Sequence, residues 1–207
     1  MIAIIDYGAG NLQSVKKALD SIGAPCEVTE DARKIERAAG VILPGVGAFG
    51  DAMEQMRRRG LVEVIRRAAG EKPFLGICLG LQLLFAASEE SPGAAGLDLL
   101  PGSVAAIPRA PTPGGARLKV PHMGWNSITP LRHDGVFQGV PDETYVYFVH
   151  SYFARAADPA DVAARAQYGV AIDAAVCRGL MTAAQFHPEK SGEAGLHMLQ
   201  NFVRMTG

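Results

Sequence analysis

In the segment Pro73-Phe74-Leu75-Gly76-Ile77-Cys78-Leu79-Gly80, a strand pattern ends and a helix pattern begins at a single cysteine. The apolar run Pro73–Ile77 predicts a buried strand, and Leu79–Ala87 predicts a helix directly after it. Gly-x-Cys-x-Gly at such a junction is the pattern of a nucleophile elbow, with Cys in place of Ser. The glycines allow a sharp turn that projects the Cys78 sulfur from the sheet. A buried, unreactive cysteine would fit the same residues.

The elbow also predicts how Cys78 could be activated. The start of a helix favours thiolate over thiol, and the backbone N–H of Leu79, the residue after the nucleophile, can donate to an oxyanion. An unperturbed cysteine is only a few per cent thiolate at neutral pH, so a base is still needed.

The candidate base lies in Gln185-Phe186-His187-Pro188-Glu189. The strand that begins at Met181 delivers His187 near a sheet end, and Glu189 can fall on the same side. A carboxylate there would fix the imidazole tautomer and stabilise the imidazolium, as the third member of a triad does. A lone histidine at a strand end is usually structural, so the prediction rests on the combination with Cys78.

The segment Pro44-Gly45-Val46-Gly47-Ala48-Phe49 follows another predicted strand. Its two glycines permit unusual backbone angles and a peptide rotation, and the N–H groups of Val46 or Gly47 could supply a second oxyanion donor. A simple turn would explain these two glycines equally well if the elbow were absent.

The opening segment Asp6–Leu12 (DYGAGNL) contains Gly-x-Gly, the start of a dinucleotide-binding turn. The third glycine of that motif is replaced by Gln13, which argues against a dinucleotide site.

Around these motifs, strands alternate with helices in the first half of the chain, while the second half is richer in strands. This order indicates βαβ units, and we expect one α/β domain over residues 1–207 with a mixed central sheet. The expected strands are Ile2–Asp6, Cys26–Thr29, Val41–Leu43, Pro73–Ile77, Val104–Ile107, Leu118–Val120, Thr144–Tyr152, Val162–Tyr168, Ala174–Arg178 and Met181–Phe186. The expected helices are Leu12–Ile22, Asp51–Arg59, Leu61–Ala69, Leu79–Ala87 and Leu196–Val203, and Ala110–Gly115 is expected to be a loop.

Composition narrows the class of protein. The 207 residues carry 20 basic and 21 acidic side chains, a net charge of −1, which argues against nucleic-acid binding. No apolar run approaches the roughly 18 residues of a spanning helix, so no membrane association is expected. Three widely spaced cysteines without a CxxC pair fit neither a disulfide framework nor a zinc site, so we expect a cytoplasmic protein without a metal or cofactor.

The elbow, the His-Pro-Glu segment and the PGVGAF loop together resemble the class I, or triad, glutamine amidotransferases, over essentially the whole chain. The resemblance implies a flavodoxin-like α/β domain. Three segments resemble more narrowly the glutaminase subunits of imidazole glycerol phosphate synthases of L-histidine biosynthesis. These segments are Pro44–Phe49, Pro121–Asn126 (PHMGWN) and Tyr147–Tyr152 (YFVHSY).

The resemblance implies hydrolysis of L-glutamine to glutamate and ammonia, with Cys78 as nucleophile, His187 as proton shuttle and Glu189 as its orienter. It implies that Val46, Gly47 and Leu79 hold the oxyanion. Gly47, Gln82, Ser151 and Tyr152 would hold the substrate. The ammonia would pass to a cyclase subunit with a (β/α)₈ barrel in a heterodimer. The residues implied at that interface or at the ammonia exit are Trp125, Asn126, Tyr147 and Lys190.

Two other functions remain open from the sequence. A stand-alone cysteine hydrolase of similar fold, such as a γ-glutamyl hydrolase, would turn over without a partner. A non-catalytic binding module of this fold would have no use for Cys78, His187 and Glu189 together.

Overall fold

The computed structural model describes residues 1–109 and 118–207, so the expected loop Ala110–Gly115 lies outside the described residues. In the described part of the chain, no helix is long and apolar enough to cross a membrane. The strands are β1 Ile2–Ile5, β2 Cys26–Thr29, β3 Gly40–Gly45, β4 Phe74–Cys78, β5 Gly102–Ala106, β6 His122–Pro130, β7 Thr144–His150, β8 Tyr152–Ala156, β9 Val162–Tyr168, β10 Val170–Arg178 and β11 Met181–Ala184. The helices are α1 Leu12–Ser21, α2 Ala32–Arg37, α3 Phe49–Arg58, α4 Val62–Glu71, α5 Leu79–Gln82 and α6 Gly192–Met205.

A nine-stranded mixed sheet forms the centre of the molecule, in the order β2-β1-β3-β4-β11-β10-β9-β6-β7. The strands from β2 to β11 in this order run parallel, and the pairs from β11 to β7 are antiparallel. A second, two-stranded sheet pairs β5 with β8. The α/β class and the mixed central sheet are therefore as predicted.

Helices cover both faces of the sheet because the parallel strands are apolar at successive positions. Ile5 and Leu43 point into one core with Met53 of α3 and Ile65 of α4. Ile4, on the opposite face, joins a second core with Leu19 of α1 and Phe202 of α6. Parallel strands that are buried on both faces read as continuous apolar runs, as β1 and β3 do.

The parallel half of the sheet gathers the predicted motifs at one edge. In register, Gly45 at the end of β3 lies beside Cys78 at the end of β4, and Ile77 lies beside Ala184 at the end of β11. The carboxyl ends of parallel strands are where α/β proteins place their ligands. The loop after β3, the elbow after β4 and Gln185–Glu189 after β11 therefore converge.

The prediction of a helix over Leu79–Ala87 is wrong beyond Gln82, because α5 has only four residues. The backbone carbonyls of Leu83, Leu84 and Ala86 accept hydrogen bonds from a later segment instead of from a following helical turn. The donors are the N–H groups of Gly96, Leu97, Leu99 and Leu100. Phe85 forms a parallel bridge with Leu100. A long-range pairing that the local apolar pattern cannot reveal thus ends the helix.

Two strand predictions are also wrong in the second half. Leu118–Val120 forms no strand; Leu118 and Val120 pack against a small apolar cluster that includes Ile107 and Phe153. Thr144–Tyr152 is not one strand, since β7 ends at His150, and β8 starts at Tyr152 and pairs with β5 instead. Strand β6 and helix α2 were not predicted.

Candidate active site

Cys78 sits at a strained strand-to-helix junction. Its backbone has φ +55° and ψ −109°, the left-handed side that a non-glycine residue rarely occupies, and the residue is 7% exposed. A Cβ on Gly80 would lie 1.9 Å from the Leu43 carbonyl oxygen, and one on Gly76 would lie 2.9 Å from the Ala183 Cβ. Glycine is required on each side because the neighbouring strands approach the turn so closely.

His187 and Glu189 form a buried pair beyond the end of β11. His187 Nδ1 lies 2.8 Å from Glu189 Oε1, and the two side chains are 2% and 1% exposed. Pro188 opens the short 3₁₀ turn Pro188–Lys190, which brings the carboxylate back to the ring. Ser191 Oγ donates to the His187 carbonyl at 2.6 Å, and the His187 N–H donates to the Tyr147 carbonyl at 2.9 Å. The backbone of His187 is therefore held at both its N–H and its carbonyl, and the ring is held by Glu189.

The electrostatics of His187 favour its charged form. Burial lowers the pKa of an imidazole, but the Cys78 sulfur and the Glu189 carboxylate beside His187 outweigh that effect and raise its pKa to about 9. An imidazolium between a thiolate and a carboxylate is the charge arrangement that a cysteine nucleophile needs.

Cys78 and His187 face the same open cleft, which has a volume of about 350 Å³. Within the described residues, His187 Nε2 and Glu189 Oε2 have no hydrogen-bond partner. Such orphaned buried atoms are rare in stable cores and are typical of sites that act on a ligand. The cleft is lined by Val46, Gly47, Cys78, Leu79, Gln82, Glu90, Pro121, Val149, His150, Ser151, Tyr152 and His187.

The predicted oxyanion residues lie around Cys78. Leu79 is the first residue of α5, where a backbone N–H has no partner within the helix. Val46 is 41% exposed at the cleft, and Gly47 has φ +95° with open space where a side chain would be. The space around Gly47 is therefore open, whereas a Cβ on Gly45 at the start of the loop would lie 2.8 Å from the Leu79 Cβ.

The predicted substrate residues Gly47, Gln82, Ser151 and Tyr152 all line the cleft. Gln82 is 5% exposed and lies one helical turn after Cys78. Its Nε2 donates to the Tyr152 carbonyl at 2.8 Å and to Gln185 Oε1 at 3.1 Å. With its amide hydrogens held inside the protein, Gln82 can offer its Oε1 to a ligand in the cleft.

Trp125, Tyr147 and Lys190 form one group on the outer face of β6 and β7, away from the cleft. Trp125 is 54% exposed and lies opposite Tyr147 in the register, with their rings 6.1 Å apart. Lys190 Nζ lies 5.9 Å from the centre of the Tyr147 ring. Asn126, on the same strand as Trp125, turns to the other face, where it contacts His122.

Three cleft or near-cleft residues were not predicted to act. Gln185 Nε2 lies 3.7 Å from Cys78 Sγ, and its position two residues before His187 was the available signal. Tyr7 is fully buried, and its hydroxyl has no hydrogen-bond partner among the described residues. This hydroxyl lies 2.8 Å from the position that a Cβ on Gly45 would take, and burial raises the pKa of Tyr7. His150 also lines the cleft.

Comparison with known proteins agrees with this architecture. The model of the glutamine amidotransferase class-I family matches residues 3–205. The crystal structure of a glutamine amidotransferase superposes with a TM-score of 0.75 at 19% identity, covering 100% of both chains. PurLQS from Thermotoga maritima gives a TM-score of 0.72 at 19% identity, covering 98% of this chain and 97% of that one. These low identities support the fold alone.

Sequence relatives are much closer. The imidazole glycerol phosphate synthase subunit HisH of Moorella thermoacetica is 52% identical, over 99% of this chain and 95% of its own length. HisH of Methanothermobacter thermautotrophicus is also 52% identical, over 99% of this chain and 98% of its own. The chain belongs to the class-I glutamine amidotransferase family and, within it, to the HisH subunits of imidazole glycerol phosphate synthase.

Proposed function

We propose that this chain is the glutaminase subunit of an imidazole glycerol phosphate synthase and hydrolyses L-glutamine to glutamate and ammonia. The observation that carries the proposal is the convergence of Cys78, at a strained elbow, with the buried His187–Glu189 pair in one cleft. The identity of about half the residues to HisH subunits supports the same activity. Residues 1–207 would act as one amidotransferase domain, in line with the family match over 3–205.

In this mechanism the Cys78 thiolate attacks the side-chain amide carbon of glutamine and forms a tetrahedral intermediate. The His187 imidazolium then gives its proton to the amide nitrogen, the C–N bond breaks, and ammonia leaves a glutamyl thioester on Cys78. His187, now neutral, takes a proton from water, which attacks the thioester and releases glutamate. Glu189 holds the imidazole through Nδ1 and stabilises its charged form in both half-reactions.

The oxyanion of each tetrahedral intermediate would lie on backbone donors. The Leu79 N–H is one donor, at the free start of α5. The second is an N–H of Val46 or Gly47, which a rotation of the Gly45–Val46–Gly47 peptides would bring to face the oxyanion. We propose that ligand binding to the partner subunit drives this rotation, which couples hydrolysis to the use of ammonia.

Glutamine would be held by Gly47, Gln82, Ser151 and Tyr152 along the cleft wall. Small, zwitterionic glutamine needs few charged partners, which agrees with the nearly neutral composition of the chain. No cofactor or metal enters the proposed reaction, because Cys78 supplies the nucleophile and His187 carries out the proton transfers.

The partner would be a cyclase subunit with a (β/α)₈ barrel that binds the outer face of β6 and β7 in a heterodimer. Trp125, Tyr147 and Lys190 lie on this face, and Met123 and Tyr145 on it are each 62% exposed. Exposed aromatic and methionine side chains grouped in this way are typical of protein interfaces. Since the Tyr147 carbonyl accepts from the His187 N–H, the strand that carries this face adjoins the segment that carries the proposed proton shuttle. Asn126, on the same strand as Trp125, would also contribute to the interface or the ammonia exit.

We also propose a cytoplasmic location. All three cysteines carry free thiols, two of them half-buried, which suits a reducing compartment.

The nucleophile assignment is tested with Cys78→Ala in the complex with the cyclase subunit. We expect ammonia release from glutamine to fall to background while partner binding is retained, because the side chain is small and points into the cleft. Cys26→Ala is the matched control and should keep full activity, since that half-buried thiol lies at the start of β2 and does not line the cleft. Unchanged hydrolysis in Cys78→Ala would refute the assignment.

A further inference from the structure

A line of hydrogen bonds joins strand β6 to the wall of the cleft through two buried histidines. Asn126 Nδ2 lies 3.2 Å from His122 Nε2, and His122 Nδ1 lies 2.9 Å from His150 Nε2. His150 Nδ1 lies 2.9 Å from the Tyr152 carbonyl oxygen. His122 and His150 are 2% and 6% exposed, and they are direct cross-strand neighbours on β6 and β7.

At both ends of this line, the neighbouring groups fix which atom donates the hydrogen bond and which accepts it. Asn126 Oδ1 accepts from the backbone N–H of Ser127 at 2.9 Å, and Asn126 Nδ2 donates to the Gln167 carbonyl at 3.0 Å. These two backbone partners orient the amide, so Nδ2 presents a hydrogen to His122 Nε2. At the other end, a carbonyl oxygen only accepts, so His150 Nδ1 must carry a hydrogen.

One proton arrangement satisfies both ends. His122 Nε2 accepts, His122 Nδ1 donates to His150 Nε2, and His150 Nδ1 donates to Tyr152. A proton added to His122 Nε2 would face the Asn126 Nδ2–H, and one added to His150 Nε2 would face the His122 Nδ1–H, so either proton would set two donors against each other. The surroundings agree with neutral rings, because burial lowers the pKa of His122 to about 4 and that of His150 to about 3.

The rings are also fixed in place. His122 is stacked between Phe148 at 4.6 Å and Tyr168 at 3.9 Å, measured between ring centres. A 180° flip of the His122 ring would keep these stacking contacts but would put carbon atoms at both hydrogen-bond positions, so it would break the line on both sides. If the group at position 126 changed from a donor to an acceptor, the position of the hydrogens on His122 and His150 would have to change instead.

The line ends on the residues proposed to bind glutamine. The Tyr152 carbonyl that accepts from His150 also accepts from Gln82 Nε2, and Gln82 continues to Gln185, which contacts Cys78.

The other end of the line lies on strand β6. Because side chains alternate along a strand, β6 presents Trp125 outward and Asn126 inward at successive positions. The strand that carries the outer aromatic face thus also carries the start of the line.

We propose that Asn126, His122 and His150 are positioning residues that form a one-directional hydrogen-bond relay, which holds the Tyr152 carbonyl and Gln82 in place for glutamine. The relay would make the glutamine pocket sensitive to the position of β6. This inference rests on the proposed glutaminase function for its kinetic consequence, but the proton arrangement stands on the contacts alone.

The proton arrangement is tested by ¹H–¹⁵N correlation of the imidazole nitrogens in the full-length chain. We expect His122 and His150 both to be neutral with the hydrogen on Nδ1. Asn126→Asp removes the amide donor, so His122 Nε2 should gain a hydrogen. Thr129→Asp, which adds the same carboxylate at an exposed position of β6, should leave both rings unchanged. An Nε2–H form of either ring in the wild type, or unchanged rings in Asn126→Asp, would overturn the proposal.

The kinetic consequence is tested with two variants of His150 in the complex with the cyclase subunit. His150→Asn keeps an N–H near the Nδ1 position, and His150→Leu removes it. We expect the KM for glutamine to rise about tenfold in His150→Leu, with a smaller change in kcat, and to stay near the wild-type value in His150→Asn. Equal defects in both variants would indicate a packing role and contradict the relay. Absence of glutaminase activity in the wild type would refute the proposed function and leave the spectroscopic result standing.

Discussion

At the scale of the residue, the proposed chemistry depends on the charge state of His187. Its raised pKa means that the neighbouring Cys78 sulfur and Glu189 carboxylate favour the imidazolium in the folded protein more than burial disfavours it. The stabilisation of the folded state from this group is fully present below pH 6.5 and is lost as the pH rises through about 9. The active ion pair should therefore persist through neutral pH and fail in alkaline solution.

Glu189→Gln tests this account of His187. The amide can still accept from Nδ1–H, but it no longer stabilises a positive ring, so the pKa of His187 should fall. We expect the alkaline limb of the pH profile of kcat/KM, near pH 9 in the wild type, to move to lower pH. We expect kcat at neutral pH to fall about a hundredfold.

Glu193→Gln is the control for that experiment, since Glu193 is an exposed carboxylate in the first turn of α6. It should leave both the profile and the rate unchanged. An alkaline limb that stays in place in Glu189→Gln would show that this carboxylate does not set the pKa of His187.

The candidate residues could largely be predicted at this scale because their motifs are local. Cys78, His187 and Glu189 lie in two short segments whose residue types match one reaction. Gln185 and His150 could not be assigned in the same way, because Gln185 contacts Cys78, 107 residues earlier in the chain, and His150 contacts His122 on the neighbouring strand.

At the scale of the element, the elbow depends on how closely α5 approaches β3. A Cβ on Gly80 would lie 1.9 Å from the Leu43 carbonyl oxygen, a backbone atom that cannot move aside without opening the sheet. The short α5 therefore has to carry glycine at this position, whatever the helix propensity of the residue.

Gly80→Ala should separate α5 from β3 and displace Cys78. We expect the free energy of unfolding to fall by about 1–3 kcal/mol or more, as in overpacked cores, together with a large loss of glutaminase activity. Gly70→Ala in α4 is the matched control, because a Cβ there meets nothing within 4 Å, and alanine should be neutral or stabilise the helix by up to about 1 kcal/mol. Chemical denaturation and ammonia release measure both effects; equal behaviour of the two variants would contradict the packing argument.

Prediction of elements succeeded where the pattern was local and failed where pairing was distant. The strands of the parallel half follow from apolar runs between glycine and polar turns. Strand β6 was missed because His122–Pro130 mixes polar and apolar residues, and its structure depends on pairing with β7 and β9. Leu79–Ala87 was extended too far because the residues that end α5 lie at positions 96–100.

At the scale of the whole molecule, the proposed function assigns separate roles to two surfaces. The cleft at the carboxyl ends of β3, β4 and β11 would release ammonia, and the outer face of β6 and β7 would bind the subunit that uses it. The His187–Tyr147 backbone hydrogen bond connects the two sides directly. A chain arranged in this way should work at its full rate only when both sides are occupied.

The most direct test is the rate of glutamate release from L-glutamine, measured for the chain alone, with the cyclase subunit, and with that subunit and its nucleotide substrate. We predict a low rate for the chain alone and a rate at least about tenfold higher when both partner and nucleotide are present. A full rate without any partner would instead favour a stand-alone hydrolase, and no hydrolysis under any of the three conditions would contradict the glutaminase assignment itself.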